Sequence, residues 1–238
     1  MAIDAQYGIQ IHEGMHYGQK PLYKFGFNPS IATDEETIWD QGGVYSYLSS
    51  ASVLKVSSSN NSDTSVVNIE GLDANYNQIS ETVTLSGQTA VNTSNSFIRV
   101  YRGKVTDDEP SGDIYIGTGA VTTGIPANIY AKITAGENQT LMALWSVPAG
   151  YTAYVFMSQI SSGTSQSNKF LTSRLKVRPF GEVFQTKIVQ TLHNQTTETD
   201  FGIPIKVEEK SDIEVTAKTS SGTDAVSATF SVIYKKND

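Results

Sequence analysis

The 238-residue chain has no cysteine. Disulfide staples, thiolate nucleophiles and cysteine zinc sites are therefore excluded. The usual framework of a small eukaryotic secreted module goes with them. Positive charge is also short: 17 Lys and Arg stand against 24 Asp and Glu, for a formal net charge of −7. Scattered cations on an acidic chain leave no electrostatic footprint for nucleic acid and no attraction to an anionic membrane surface. No apolar run approaches the ~18 residues that would mark a membrane-spanning helix. The opening MAIDAQYGIQ has neither the basic nor the apolar region of a signal peptide, so a chain made and kept soluble in a cytoplasm is expected. Helical periodicity is missing as well, with no pattern lasting more than about two turns.

What fills the chain is Ser, Thr, Asn and Gly around short runs of Val, Ile, Thr and Tyr. From Ala51 onward these runs alternate with period two: SVLKVSS, TSVVNIEG, ISETVTLSG, SFIRVYRGKVT and GDIYIGTG. A second series follows: LMALWSV, YTAYVFMSQI, KFLTSRLKVRP, GEVFQTKIVQTL, FGIPIKVEE, DIEVTAKT and AVSATFSVIY. The runs of the first series are closed by Gly, Asn, Asp or Ser, and short runs of this kind with such turns are the signature of antiparallel strands. Turns are expected at VPAG and at KTSSGTD. At about 100–150 residues per domain, two domains are the better prior. The expected fold is all-β: two β-sandwich domains, jelly-roll or Ig-like, over 50–118 and 119–238, preceded by an extended N-terminal arm over 1–49. The arm shows no strand or helix period, yet it carries Tyr7, Tyr17, Tyr23, Phe25, Phe27, Trp39, Tyr45 and Tyr47. That many aromatics argue for an ordered segment lying along its own domain or a neighbouring subunit. One acidic helical turn capped by Thr33, with Glu36 at its third position, is the weak exception.

Four constellations invite a chemical reading. HEGMH (His12 to His16) matches the letters of the zinc-protease motif. That motif needs a helix, and Gly14 sits in its middle, so two exposed histidines in an irregular segment are the better account. Asp73, Asn75 and Asn77 begin like a calcium loop, but Gln78 and Thr84 stand where Gly and Glu are required. A turn in which these side chains bond their own backbone is favoured. TDDEPSGD crowds Asp107, Asp108, Glu109 and Asp113, which read as a solvated loop rather than a glycosidic acid/base pair. His193 reads as a loop surface residue. No catalytic residue, cofactor or metal ion is expected, and the chain is not expected to be an enzyme.

The segment TIWDQGGVYSYL (Thr37 to Leu48) has the palette of a sugar platform, since aromatic faces stack on sugar C–H groups. It lies where the arm meets the first strand, with Gly42 and Gly43 permitting a sharp redirection. A docking joint anchored by Trp39 and Tyr45 is therefore expected over a sugar site. It leaves open whether Trp39 is buried by its own domain or by a neighbour.

The linked motifs ETIWDQGGVYSYLSSASVLKVSSSN, NIEGLDANYNQISETVTLSG, NSFIRVYRG, GDIYIGTG and GENQTLMALWSVPAGYTAY resemble a family of uncharacterised structural proteins of tailed bacteriophages, chiefly marine. The resemblance runs from about Phe25 to Tyr234. In FGFNPSIATDE, Phe27 stands where a basic residue is expected. The resemblance implies a virion component without catalytic residues, most simply a capsid decoration (cement) protein assembled in the bacterial cytoplasm. The implied partners are the major capsid protein or neighbouring virion proteins, and the implied self-association is a trimer at local three-fold axes. The expected contact residues are Tyr23, Phe25, Phe27, Trp39, Tyr45 and Tyr47. A tail- or fibre-associated protein that binds host glycan, through Trp39, Tyr45, Tyr47 and the loop SSGTSQSN, is the alternative.

Overall fold

The computed structural model describes residues 5–163 and 168–237. It is 60% strand and 3% helix, which fixes the all-β class. One helix, α1 (Ala5–His12), comes first. The strands then run β1 (Gln19–Ile31), β2 (Glu36–Thr37), β3 (Ser52–Ser58), β4 (Val66–Leu72), β5 (Gln78–Thr84), β6 (Val91–Phe97), β7 (Arg99–Val105) and β8 (Ile114–Thr122). They continue as β9 (Ile125–Ile133), β10 (Leu144–Ser146), β11 (Tyr151–Ser162), β12 (Leu171–Arg178), β13 (Gln185–Leu192), β14 (Thr196–Val207), β15 (Asp212–Thr219) and β16 (Asp224–Lys236).

The chain forms two compact units. The first collects residues 1–38, 42–44 and 143–238, and the second residues 39–41 and 45–142. The expected boundaries at 49/50 and 118/119 are therefore corrected. Position 118 falls inside β8. The sequence from Thr118 to Gly136 reads as a connector followed by a strand around Ala127–Thr134; the strand is there as β9, and the connector is the end of β8. β9 returns along β8, antiparallel, with Ile114 opposite Ile133 and Val121 opposite Pro126.

In the first unit one sheet has the order β1-β16-β11-β14. The other runs β10-β15-β12-β13, and β2 pairs β15 further along that strand. β15 is buried along nearly its whole length, as the middle of a sheet covered on both faces would be. β12 alternates buried and half-buried positions without a break, so it covers the core with one face only. Trp145, Phe230, Ile31 and Ile38 are fully buried here. The second unit holds sheets of order β6-β3-β8-β9 and β5-β4-β7 around Phe97, Leu54, Ile69, Leu72, Ile114 and Met142. Side chains of this size stabilise the fold by about 1.5–3 kcal/mol each on burial.

The extended N-terminal arm over 1–49, expected without helix or strand, is corrected in part: Ala5–His12 are helical, and the segment that lies along its own unit is a regular strand. Residues 19–31 are a strand of the first unit, in continuous register with β16 from Gln19↔Lys235 to Asn28↔Val226. The physical reason it escapes a hydrophobic reading is that its apolar side faces out. Its inward positions are Leu22, Lys24, Gly26 and Asn28, of which the last three are buried. Gly26 is required there: a Cβ would lie 2.3 Å from the Ala143 nitrogen and 2.4 Å from the Ile38 oxygen. The acidic turn expected near Thr33 is not helical. Glu36 and Thr37 pair with Ala217 and Thr216 as β2.

Candidate interaction surface

The segment Thr37–Leu48 is built from two separate fastenings. In the first unit the Glu36 carboxylate accepts the amides of Ala32 (3.0 Å) and Gly43 (2.8 Å) and the Asn28 side-chain amide (3.2 Å). Gly42 and Gly43 have φ of 76° and 70°, a left-handed pair that only glycine adopts without strain. In the second unit Trp39 meets Tyr45 edge-on at 5.0 Å, and Tyr45 meets Tyr47 at 4.8 Å. The Arg99 guanidinium lies 5.0 Å from the Tyr47 ring and 5.4 Å from the Tyr76 ring, and donates to the Tyr76 hydroxyl and the Leu48 carbonyl. The Tyr45 hydroxyl donates to the Tyr130 carbonyl at 3.1 Å. Trp39 is 3% exposed and Tyr45 5% exposed. Both are buried by this chain itself, which answers where Trp39 is buried. They offer nothing to a neighbour or a sugar, and the expected contact set loses them.

Asp40, next to Trp39, is buried. Its Oδ2 accepts the Leu141 amide at 3.3 Å, while Oδ1 is buried without a partner among the described residues. Burial, with a smaller contribution from the Asp113 charge, raises its pKa to about 7 against the opposing pull of the Leu141 amide and the Lys132 charge.

The other carboxylates act as loop clips. Asp73 Oδ1 accepts the amides of Asn75 and Asn77, so the calcium-like spacing is a self-bonded turn. Asp63 accepts the Ser58 hydroxyl and the amides of Ser111 and Gly112. Glu81 accepts the amides of Ser94 and Asn95. Asp107 accepts the Val66 amide, and Asp113 accepts the Ala135 amide and pairs with Lys132 at 2.9 Å. In TDDEPSGD two of the four carboxylates thus pin strand ends. Burial works against ionisation at Asp63, Asp73, Glu81 and Asp113, but the converging donors outweigh it and hold each below its ordinary value.

The histidines have structural neighbours. α1 ends at His12 and Gly14 takes φ of 71°, so His12 and His16 do not share a helix face. His16 stacks on Tyr7 at 4.6 Å and bonds Gln10 at 3.1 Å. His193 Nδ1 lies 2.7 Å from the Lys169 carbonyl, which can only accept, so that nitrogen carries the proton. Among the described residues no group of three or more His, Asp or Glu is placed to hold a metal ion. Of the loop SSGTSQSN, residues 164–167 lie outside the described residues.

Three expected contact residues share one surface. Tyr23, Phe25 and Phe27 alternate along β1, an edge strand, and their side chains line the outward face of its sheet. Tyr23 is 53% and Phe27 36% exposed, with Phe25 half-buried between them. Tyr23 and Phe25 have ring centroids 6.3 Å apart. Their partners on β16 are Ser231, Thr229 and Ser227, a hydroxyl carpet beside the aromatic stripe. Toward the start of β1 the helix α1 adds a recess of about 270 Å³, lined by Tyr7, Gln19, Tyr154, Phe156, Ile233 and Lys235. The Tyr7 hydroxyl donates to Gln19 Oε1 at 2.8 Å across it. Sequence reading missed this recess because its lining comes from α1, β1, β11 and β16, which only the fold brings together.

No family model matches the chain, and no curated protein matches it. Among solved structures it is similar to the crystal structure of the infectious bursal disease virus VP2 subviral particle. Identity there is 10%, over 93% of this chain and 77% of that one, with a TM-score of 0.21. The structure of the Gx strain of infectious bursal disease virus is matched at 9% identity, over 92% and 71% of the two chains, with a TM-score of 0.24. Likeness at that level transfers neither topology nor role.

Proposed function

We propose that this chain is a non-enzymatic structural protein of a bacteriophage virion, which binds the outer capsid surface as an oligomer and stabilises the shell. The observation that carries the reading is the β1 stripe: aromatic rings held in register on an open sheet face, with Tyr23 and Phe27 left in solvent. Aromatic residues so placed are the usual anchors of protein–protein contact. The phage-protein resemblance of the motifs from Phe25 to Tyr234 points the same way. So does the use of the carboxylates, which fasten loops and strand ends in an all-β chain. Within this reading each unit is a β-sandwich, its two sheets closing over the core that their buried faces share.

The test uses particles assembled without this chain. Added wild-type protein should co-sediment with them and raise their resistance to heat. A Tyr23→Ser, Phe27→Ser double variant should keep the fold, because both side chains point to solvent, and lose most of the binding. Wild-type protein that fails to bind such particles would end the proposal.

A tail-associated adsorption protein that binds host glycan is the second reading. Its support moves from Trp39 and Tyr45, which are buried, to the α1 recess with its Tyr7, Tyr154 and Phe156 rings. A glycan array without a binder removes it.

A further inference from the structure

We propose that β1 is a self-pairing edge: two copies of this chain join β1 to β1 antiparallel, about a two-fold axis at Phe25, fusing their four-stranded sheets into one. This deepens the proposed role but stands on the backbone alone.

The pairing follows from which backbone groups are already used. Lys236 donates its amide to the Gly18 carbonyl, in the same register as the rest of the β1–β16 ladder. Antiparallel ladders alternate, so even-numbered residues of β1 face β16 and odd-numbered residues face away. The outward backbone positions are thus Gln19, Pro21, Tyr23, Phe25, Phe27 and Pro29. Among the described residues no strand pairs with that side of β1. Pro21, which has no N–H to donate, sits where no donor is used, the place an edge strand tolerates it.

The outward positions are symmetric about Phe25: Pro21 mirrors Pro29, and Tyr23 mirrors Phe27. A two-fold interface needs such self-complementarity, because residue i meets j while j meets i. In this register the facing pairs are Tyr23–Phe27, Phe25–Phe25 and Phe27–Tyr23, each exchanging two backbone hydrogen bonds. Beyond them Pro21 faces Pro29, and neither donates, so the prolines end the ladder on both sides and fix its register. The strand also breaks register between Asn28 and Ile31, which bends the edge away at that point.

Charge agrees with a second copy as the occupant. Natural sheet edges are commonly blocked by charged side chains. The other edge of this sheet, β14, carries Glu198, Asp200, Lys206 and Pro204. The outward positions of β1 carry no charge. Its two lysines are turned elsewhere: Lys24 is 6% exposed, and the Lys20 ammonium lies 5.5 Å over the Tyr151 ring. The pairing therefore brings no like charges together. It leaves the side-chain face open, so two aromatic stripes become one continuous surface for the capsid contact.

The absence of cysteine makes the test clean. Residue 25 of one copy faces residue 25 of the other at about 5.5 Å between Cα atoms, within disulfide reach. Phe25→Cys should oxidise to a covalent dimer about tenfold faster or more than Ile203→Cys, a control on the exposed opposite edge. Tyr23→Cys alone should stay uncoupled, its two sulfurs roughly 13 Å apart along the strand. Mixed with Phe27→Cys it should form the hetero-disulfide. Phe25→Pro removes the outward donor together with the Phe25 ring, leaves the β16 ladder its donors, and should turn a wild-type dimer, read by sedimentation velocity at micromolar concentration, into a folded monomer. A wild-type monomer or trimer, or Phe25→Cys coupling no faster than Ile203→Cys, overturns the pairing. If Phe25→Pro does not fold, the cysteine series still decides. A monomer that binds capsids ends this inference and leaves the proposed function; a dimer that does not bind them does the reverse.

Discussion

Trp39, Tyr45, Tyr47 and Arg99 show how a binding-site palette becomes internal structure. The rings meet edge-on, the direction in which one quadrupole attracts another, and the guanidinium closes the stack between Tyr47 and Tyr76. Trp39→Ala should cost about 3–5 kcal/mol, and Tyr45→Phe, which removes the donor to the Tyr130 carbonyl, about 1 kcal/mol. Both are read from urea unfolding. Asp40 is a buried weak point in the same run. Its pKa is raised from 3.8 to about 7, so between those values the folded state holds a proton that the unfolded state releases. Its penalty is absent below about pH 4, grows through that window and is complete above about pH 7. Asp40→Asn should therefore stabilise the fold by a few kcal/mol, roughly, at pH 8 and by little at pH 4. Urea midpoints for both proteins at the two values check this. The sequence showed the aromatics, the glycine bend and their use as anchors, but not what buries Trp39. TIWDQGGVYSYL has the same letters whether its rings face water or a core, and contacts from residues as distant as Arg99 and Tyr130 make the difference.

Most strands from β3 to β16 were legible, because their apolar residues recur with period two between turn residues; β6 (VNTSNSF) was not, having almost no apolar residue to mark it. β1 was not, because the pattern is inverted: Tyr23, Phe25 and Phe27 face out while Lys24, Gly26 and Asn28 are buried. The inversion traces to Gly26, where the approach of Ala143 and Ile38 leaves no room for a side chain. Loops were legible in chemistry but not in partners. The calcium-like turn at Asp73 was readable as self-bonded, whereas the reach of Asp63 to Ser111 and Gly112 spans 48 and 49 residues. The clips have a measurable consequence. Asp63, Asp73, Glu81 and Asp113 have folded pKa values below their ordinary ones, so their stabilisation is full above the unfolded values of about 4. It is lost as pH falls through the folded values. Asp63→Asn should lower the melting temperature at pH 7, and the difference from wild type should shrink steadily below pH 4. A gap that stays constant down to pH 2 would remove the charge from the explanation.

At the scale of the whole molecule, the division into two units was expected and their boundaries were not. The second unit is an insertion: the chain leaves the first near Ile38, dips back at 42–44, and returns for good at Ala143. Such a path has no composition signal, since strands on either side of it look alike. A fragment of residues 39–142 should fold alone with Trp39 shielded from iodide quenching, because Trp39 bridges to Met142 and stacks on Tyr45 within that unit. A fragment beginning at Tyr45 should be less stable. A density map of the intact phage particle decides whether this chain is a structural protein of the outer capsid surface. Density for it is expected on the outer shell in symmetric copies, with Tyr23 and Phe27 against capsid protein. A particle whose density and protein content lack the chain would contradict that expectation.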